Sequence, residues 1–484
     1  MKTILIPIYN GLRARAFFGT DTYQELLKER DLRLVIAAPT RKIDYYRKEY
    51  PEPNVVFEPV DIYDEHWFGK KLVRLAFNLM PTSTIRGKQR LYLFRYGNYL
   101  KYFLLTAANR IVGPMPFVKE IIRFFDRLVP LEPKVTALLV RYKPDLVFLP
   151  DIIFGPDRIF ARAARRQGIY LIGTPRSWDN LTSKGFAIIK PDKLLVLTSR
   201  MVPEAVKYVG MKKADVIVTG PPQYDMYFKP RPITKKEFCE KLGIPPGRRI
   251  ILTTPFFNPY TGSAVKIINA LTTAIETGSL PKDLHVLVRY RPATPPIKEG
   301  ELRPSDRLTI TNPCTLSFPV TDFMNPTEDF EWTREDVNLL IDSLRFSEAV
   351  INIVSTLSID AMVFDKPVIN VRFDADPECP PKYQVAVMLP EHDHFRAVEA
   401  TGGVRLVWNM AELVKSINDY LENPQLDFEG RERLRREQIE ILDGGAGKRV
   451  ADFIKSSLAK LERVRQGGKL HTEFNSEIAD QPDF

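Results

Sequence analysis

The chain has 484 residues, 44% hydrophobic and 27% charged, which is the balance of a globular protein too long for one ordinary core, so two domains of roughly 200 residues each are expected. Its 3 cysteines, Cys239, Cys314 and Cys379, lie far apart with no CxxC, which argues against a disulfide framework or a zinc site and fits a reducing cytoplasm. The formal net charge of +10 requires an anionic partner: nucleic acid, a phosphorylated substrate or a membrane surface.

The apolar run after Met1 breaks at Asn10-Gly11 and Arg13, too soon for a secretory signal, and no run approaches the ~20 residues of a spanning helix. A cytoplasmic protein, at most peripheral on the inner face of the membrane, is expected. A first strand is predicted over residues 3–8, then a loop over 9–19 carrying Gly11, Arg13 and Arg15, a helix opening at Asp21, and a strand over 34–38. The loop is no GxGxxG fingerprint. It nevertheless leaves the carboxyl end of a first strand, where such sheets bind ligands, so Arg13 is a candidate acceptor or phosphate contact; the plain alternative is a surface arginine.

Residues 67–130 hold twelve basic side chains, from Lys70 to Arg127, against two acids, Glu120 and Asp126, with aromatic residues interleaved throughout. They read as a basic amphipathic helical insertion in the first domain. An anionic membrane interface suits that composition, nucleic acid would use it through stacking and charge, and ordinary helices packed on a sheet are the third reading.

Regular alternation then resumes, with a helix over 136–140, a strand over 146–149, a helix over 157–166 and a strand over 170–172. The polar loop GTPRSWDNLTSKG, residues 173–185, follows directly. Asp179 there is a candidate general base on a hydroxyl, and Trp178 and Asn180 are candidate acceptor contacts, the tryptophan by stacking on a sugar face; an Asx turn at Asp179 is the structural alternative. A strand over 193–197, a helix over 200–209 and a strand over 215–218 complete a first domain of residues 1–222. Proline-rich residues 223–245 read as a linker, 246–444 as a second αβ domain, 445–465 as a terminal helix and 466–484 as a disordered tail.

In the second domain a strand over 284–288 ends in Arg289-Tyr290-Arg291, and two arginines leaving a strand end can neutralise a diphosphate. A strand over 350–354, a turn at Ser355-Thr356, a short helix and a strand over 368–371 form a parallel unit. Ser355, Thr356 and Ser358 cluster where the helix begins, and Asp360 lies one turn in, placed to accept from a sugar or ribose hydroxyl; helix capping alone is the other reading of the serines. GGAGKR, residues 444–449, lacks the glycine position and the preceding strand of a phosphate loop. Asp374-Ala375-Asp376 and the pair His392 and His394 lack the further ligands of a metal site, so none is expected.

Taken together, VINIVSTLSIDAMVFDKPVINVRFD, SWDNLTSKG, VTGPPQYD, EHDHFR, GGVRL and LDGGAGKRVADFI resemble the bacterial GT-B glycosyltransferases of surface-carbohydrate biosynthesis grouped with CDP-glycerol glycerophosphotransferases. The resemblance runs from about residue 170 to 455, with NGLRAR near the amino end fitting as well. It implies an α/β fold of two Rossmann-like domains facing across a cleft, with a C-terminal helix returning to the first. It also implies a nucleotide-activated donor on the second domain, an acceptor on the first, and no metal or other cofactor. By the same resemblance Ser355, Thr356 and Ser358 match the donor-phosphate turn, Asp360 the acid that meets the donor hydroxyls, and His394 and Arg396 an H-x-R that closes over the donor. Arg289 matches the arginine of an R-x-H-P pattern, from which the chain departs by placing Arg291 at the histidine.

The function expected is transfer of a sugar from a nucleotide sugar to a hydroxyl of a surface glycan or lipid-linked precursor, with an anionic membrane surface as a further partner and no role for nucleic acid. Transfer of a polyol phosphate from CDP-glycerol or CDP-ribitol is the close alternative, and a sugar-nucleotide epimerase a more distant one. A non-catalytic scaffold binding nucleotide, anionic lipid or RNA is the alternative of another class. Donor, acceptor, stereochemistry and oligomeric state are not legible in these residues.

Overall fold

The computed structural model describes residues 1–466 apart from 63–64, 154, 255–261, 291–300, 314–329, 354, 377, 381–383, 385 and 387–390. Seven strands form the first sheet: β1 (Lys2–Pro7), β2 (Leu32–Ala38), β3 (Val55–Pro59), β4 (Leu146–Leu149), β5 (Tyr170–Gly173), β6 (Lys193–Val196) and β7 (Val216–Val218). Six form the second: β8 (Arg249–Thr253), β9 (Leu284–Arg289), β10 (Leu308–Thr311), β11 (Ser347–Asn352), β12 (Val368–Val371) and β13 (Arg405–Val407). The orders are β3-β2-β1-β4-β5-β6-β7 and β10-β9-β8-β11-β12-β13, with parallel pairing throughout. Each sheet therefore runs outward in both directions from a central pair, β1/β4 and β8/β11, and the crevice at such a reversal is where open parallel sheets bind ligands. The central strands are apolar on both faces because helices cover both, which is why they read as continuous runs rather than alternations.

Residues 9–19 are not the expected loop. Asn10 caps a helix, α1 (Gly11–Phe17), its side-chain oxygen accepting from Arg13 N at 3.1 Å, and LRARAF contains good helix formers with nothing to break them. Helices α2 (Asp21–Leu27) and α3 (Thr40–Glu49) follow. Between β3 and β4 lies the insertion: α4 (Trp67–Asn78), α5 (Ser83–Tyr96), α6 (Tyr99–Ile111) and α7 (Pro116–Asp126). Leu72, Ala76, Leu79, Val118, Ile122 and Val129 pack its inner side against Phe186 and Ile188 of the first domain.

The segment expected as a plain linker is structured. Pro222–Phe228 is a 3-10 turn, and Lys235–Leu242 is a helix with a capping box between Thr234 and Glu237, a T-x-x-E signal that the surrounding prolines obscure. The helix expected over residues 200–209 splits into Met201–Glu204 and a π-turn, Ala205–Val209. The terminal helix Ala446–Arg465 returns to the first domain, burying Val450, Ala451, Ile454 and Leu458 with Ile4, Phe17 and Leu26. Asp225 accepts from the backbone N–H groups of Ala446 and Gly447 at 3.1 and 2.6 Å, so a protein carboxylate already fills the helix start that GGAGKR might have offered to phosphate.

Phe330–Trp332 brings the second domain onto the first. Glu331 accepts from Lys42 Nζ at 2.7 Å and from the Tyr46 hydroxyl at 2.8 Å, all three side chains being buried. The Phe330 carbonyl lies so close to α1 that a Cβ on Gly11 would stand 1.9 Å from its oxygen. Gly11→Ala should therefore lower unfolding stability by about 1–3 kcal/mol through forced separation of α1 from this segment. An unchanged denaturation midpoint would show that the two domains do not meet there in solution.

Candidate functional site

Two groups of side chains meet at the carboxyl ends of the strands, one centred on Trp332 and one on Asp179. Arg15 of α1 lies over the Trp332 ring at 4.4 Å, and Arg289, the last residue of β9, lies 5.9 Å from the same ring. Arg289 is buried and donates to the Asp336 carbonyl at 3.2 Å. The indole thus meets a guanidinium from each domain, and its Nε1 has no acceptor among the described residues. Asp360 accepts a hydrogen bond from the Tyr224 hydroxyl, and Arg15 is close enough for its charge to act on both. Burial pushes the Asp360 carboxyl up to about 6, with Tyr224 and Arg15 opposing that rise. The phenol of Tyr224 goes far above its ordinary range for the same reason, burial first and then the neighbouring carboxylate.

Several sequence expectations change here. Arg13 is fully buried, with Nε 2.6 Å from Asp157 and Nη2 3.8 Å from Asp151, so it pins α1 to the Gly155–Arg166 helix and does not reach an acceptor. The residue that faces the cleft is Arg15: two positions apart on a helix, side chains point to nearly opposite sides, and reading the segment as a loop concealed that. Ser358 is buried with its hydroxyl between Asn352 and Asn370 at 3.2–3.3 Å, tying β11 to β12 and leaving no hydroxyl for a donor phosphate. Ser355 Oγ accepts from Leu357 N at 3.2 Å, a cap, while Thr356 is exposed. The helix after them, Leu357–Asp360, is a single turn before the 3-10 turn Ala361–Phe364, too short for much macrodipole. Arg291 lies outside the described residues.

The second group joins the loop after β5 to the helix Asp393–Glu399. Trp178 meets His394 edge-to-face at 5.1 Å between ring centroids and Phe395 at 5.9 Å, so it bridges the domains rather than lying open to a sugar face. Trp178 and Trp332 pack against one apolar cluster that includes Leu357, which joins the two groups. Asp179 accepts from the Ser183 hydroxyl at 2.6 Å. Burial alone would raise its pKa, but His394, Lys184 and the serine hydroxyls more than offset that and hold it at about 2. A carboxylate this acidic is a poor proton acceptor, which weakens Asp179 as the base itself. Burial pushes His394 down to about 4 and His392 to about 3, so both rings are neutral at pH 7. A neutral imidazole beside a carboxylate can take a proton and have the resulting charge stabilised. Arg396, two residues beyond His394 on the same helix, points outward and is exposed.

Asn180 is fully buried, and neither side-chain amide atom has a partner among the described residues; the same is true of Trp178 Nε1, His392 Nε2, His394 Nδ1 and Glu204 Oε2. A buried polar atom without a partner costs about 1–3 kcal/mol, so orphans gathered in one place point to a polar guest, water or substrate. Glu204 was not singled out by its sequence. Burial, with the charges of Asp393 and Asp179, raises it to about 7 against the opposing Arg200. It sits where the helix gives way to the π-turn, a distortion frequent at functional positions and invisible to a 3.6-residue periodicity. Among the described residues no group of three or more His, Cys, Asp or Glu side chains could hold a metal ion.

No family model matches the chain, and no curated protein matches it in sequence. Solved structures do. A proposed UDP-N-acetylglucosamine 2-epimerase from Listeria monocytogenes superposes with a TM-score of 0.55 at 14% identity, over 95% of this chain and 98% of that one. The UDP-GlcNAc 2-epimerase of Neisseria meningitidis bound to UDP-GlcNAc gives 0.53 at 14% identity, covering 95% and 100%. The S. aureus MnaA–UDP structure gives 0.52 at 13%, covering 95% and 97%. At these identities the likeness is one of fold: two Rossmann-like domains facing across a cleft, the GT-B arrangement, over almost the whole chain.

The titrations predict opposite slopes. Glu204 is protonated in the folded state between its unfolded pKa, near 4.3, and about 7, so its contribution falls as pH rises through that window. The histidines are neutral when folded, so theirs is lost as pH falls below about 6.5 toward 4. Glu204→Gln should flatten the decline in melting temperature between about pH 5 and 7.5, and an identical decline in the variant would place Glu204 in water.

Proposed function

We propose that the protein is a glycosyltransferase of surface-carbohydrate biosynthesis, moving a sugar from a nucleotide-sugar donor to a hydroxyl of a glycan or lipid-linked acceptor. The observation that carries this reading is that Arg15 of the first domain and Arg289 of the second both approach the Trp332 ring, 4.4 and 5.9 Å from its centroid. The bond from the anomeric carbon to the diphosphate oxygen breaks, and the negative charge that develops on the departing diphosphate is met by the two guanidiniums, with Thr356 as a further donor. The new bond forms from the acceptor oxygen, whose proton passes to the neutral imidazole of His394, with Asp179 holding the charge so created. Asn180 and Glu204 bind acceptor hydroxyls through their unpartnered polar atoms. Two arginines supply the charge that a metal would otherwise supply, and closure of the domains about Tyr224 and Tyr227 excludes water from the donor.

A second reading is favoured by one observation: the solved structures similar to this one in fold include UDP-GlcNAc 2-epimerases. An epimerase converts UDP-GlcNAc with no acceptor present, whereas a transferase alone gives at most slow hydrolysis. Titration with UDP, CDP and GDP by calorimetry should show one nucleoside diphosphate bound, with affinity falling about tenfold or more in Arg289→Ala and again in Arg15→Ala. Consumption of a CDP-polyol alone among the activated donors would move the assignment to polyol-phosphate transfer, and no binding of any nucleotide would leave a scaffold.

A further inference from the structure

Helices α6 and α7 are amphipathic the wrong way round for a protein facing water on that side. On α6 Leu100, Phe103, Leu104 and Ile111 form a stripe at helical spacing, and each is 62–72% exposed. On α7 Phe117, Ile121, Phe124 and Phe125 form a second stripe, 42–58% exposed, while Val118 and Ile122 of the same helix are buried inward. Both helices therefore have an anchored face and an exposed apolar face, and the short turn of residues 112–115 joins them. Tyr92, Tyr96 and Tyr99 extend the patch at the α5–α6 corner, with Lys101 over the Tyr92 ring at 5.8 Å. Of the large apolar side chains exposed among the described residues, most belong to this one insertion.

Charge decides what covers it. Residues 67–130 carry a surplus of ten positive charges, equal to the net charge of the entire chain, so the rest of the sequence is balanced. A second copy of this patch would bring like charge against like. A bilayer with anionic headgroups offers acyl chains for the stripes, an interface for tyrosines and phosphates for lysines and arginines.

We propose that the outer faces of α6 and α7 dock on an anionic bilayer. The insertion also fixes where the cleft lies relative to that surface. The start of α5 holds the rim of the Asp179–His394 group, Ser83 Oγ donating to the Glu391 carbonyl at 3.0 Å and Thr84 N to Asp393 at 2.9 Å, with Gly87 packed against His392. One face of the insertion therefore walls the acceptor side and the other meets the membrane. A lipid-linked acceptor is delivered to that wall from the bilayer, and this last step rests on the transferase reading while the docking does not.

Flotation of the full chain with vesicles of phosphatidylcholine and roughly one quarter phosphatidylglycerol is the test. The protein should float at low salt, less at about 0.5 M salt, and little with phosphatidylcholine alone. Phe103→Asp with Leu104→Asp, and separately Phe124→Asp with Phe125→Asp, should each reduce the floated fraction by about tenfold while leaving the melting temperature and nucleotide titration unchanged. Failure of the native chain to float at low salt, or variants that float equally well, overturns the proposal. So does competition in which an RNA oligonucleotide binds the patch at salt where vesicles do not. Loss of nucleotide binding with flotation intact would instead remove the transferase and keep the docking surface.

Discussion

The site depends on one buried carboxylate. Glu331 belongs to the second domain, yet its partners Lys42 and Tyr46 both lie on α3 of the first, and removing water from a charged pair is tolerable only because both ends are satisfied. Trp332 follows directly in the chain, so the geometry that seats Glu331 also brings the indole to Arg15 and Arg289. The diphosphate site we propose needs both arginines, one on α1 of the first domain and one at the end of β9 in the second. How far Phe330–Trp332 sinks onto α1 bears on their approach, which is why the absence of a side chain at Gly11 bears on the proposed chemistry as well as on packing.

The same economy governs charge. A structure whose basic surplus lies wholly in one insertion can keep a neutral body and a cationic face: buried aliphatic residues point inward and the aromatic stripes outward with Lys70, Lys71, Arg74, Lys101, Arg110 and Arg127 exposed, while Lys88 and Arg123 turn in to backbone carbonyls. Such a surface is unfavourable in water unless something covers it, and it lies on the same insertion whose α5 borders the Asp179–His394 group.

Much of this architecture was legible in the residues. Buried parallel strands announce themselves as continuous apolar runs, and two parallel sheets follow once alternating βα units are recognised, although the order of the strands in them does not. The loop of Trp178, Asp179 and Asn180 also stood out, since polar and aromatic residues in a loop after a strand are costly without a purpose, whereas His394, expected over the donor, packs against Trp178 from a helix of the second domain. What escaped was orientation. Arg13 and Arg15, like His394 and Arg396, are two residues apart, and only knowing that each pair lies on a helix says that one member turns in and the other away. Ser358 is a different failure: its partners, Asn352 and Asn370, lie on two adjacent strands, and no local pattern tells a serine that ties strands from one that binds phosphate.

Proton affinity is likewise a property of the assembled site. Three acids close together, Asp179, Asp393 and Glu204, cannot all ionise cheaply in a partly dry environment. The hydroxyls and cations around Asp179 hold its charge in place, backbone and hydroxyl donors from α5 do the same for Asp393, and Glu204, with less support and two charged neighbours, keeps its proton to about 7. The site thus holds, at neutral pH, two fixed carboxylates, two neutral imidazoles and a carboxyl poised to donate or take a proton. Environment has divided groups of similar intrinsic chemistry into separate roles. Full exposure to water would have made these carboxyls alike, and it is the different partners each meets at the junction of the two domains that keep them different.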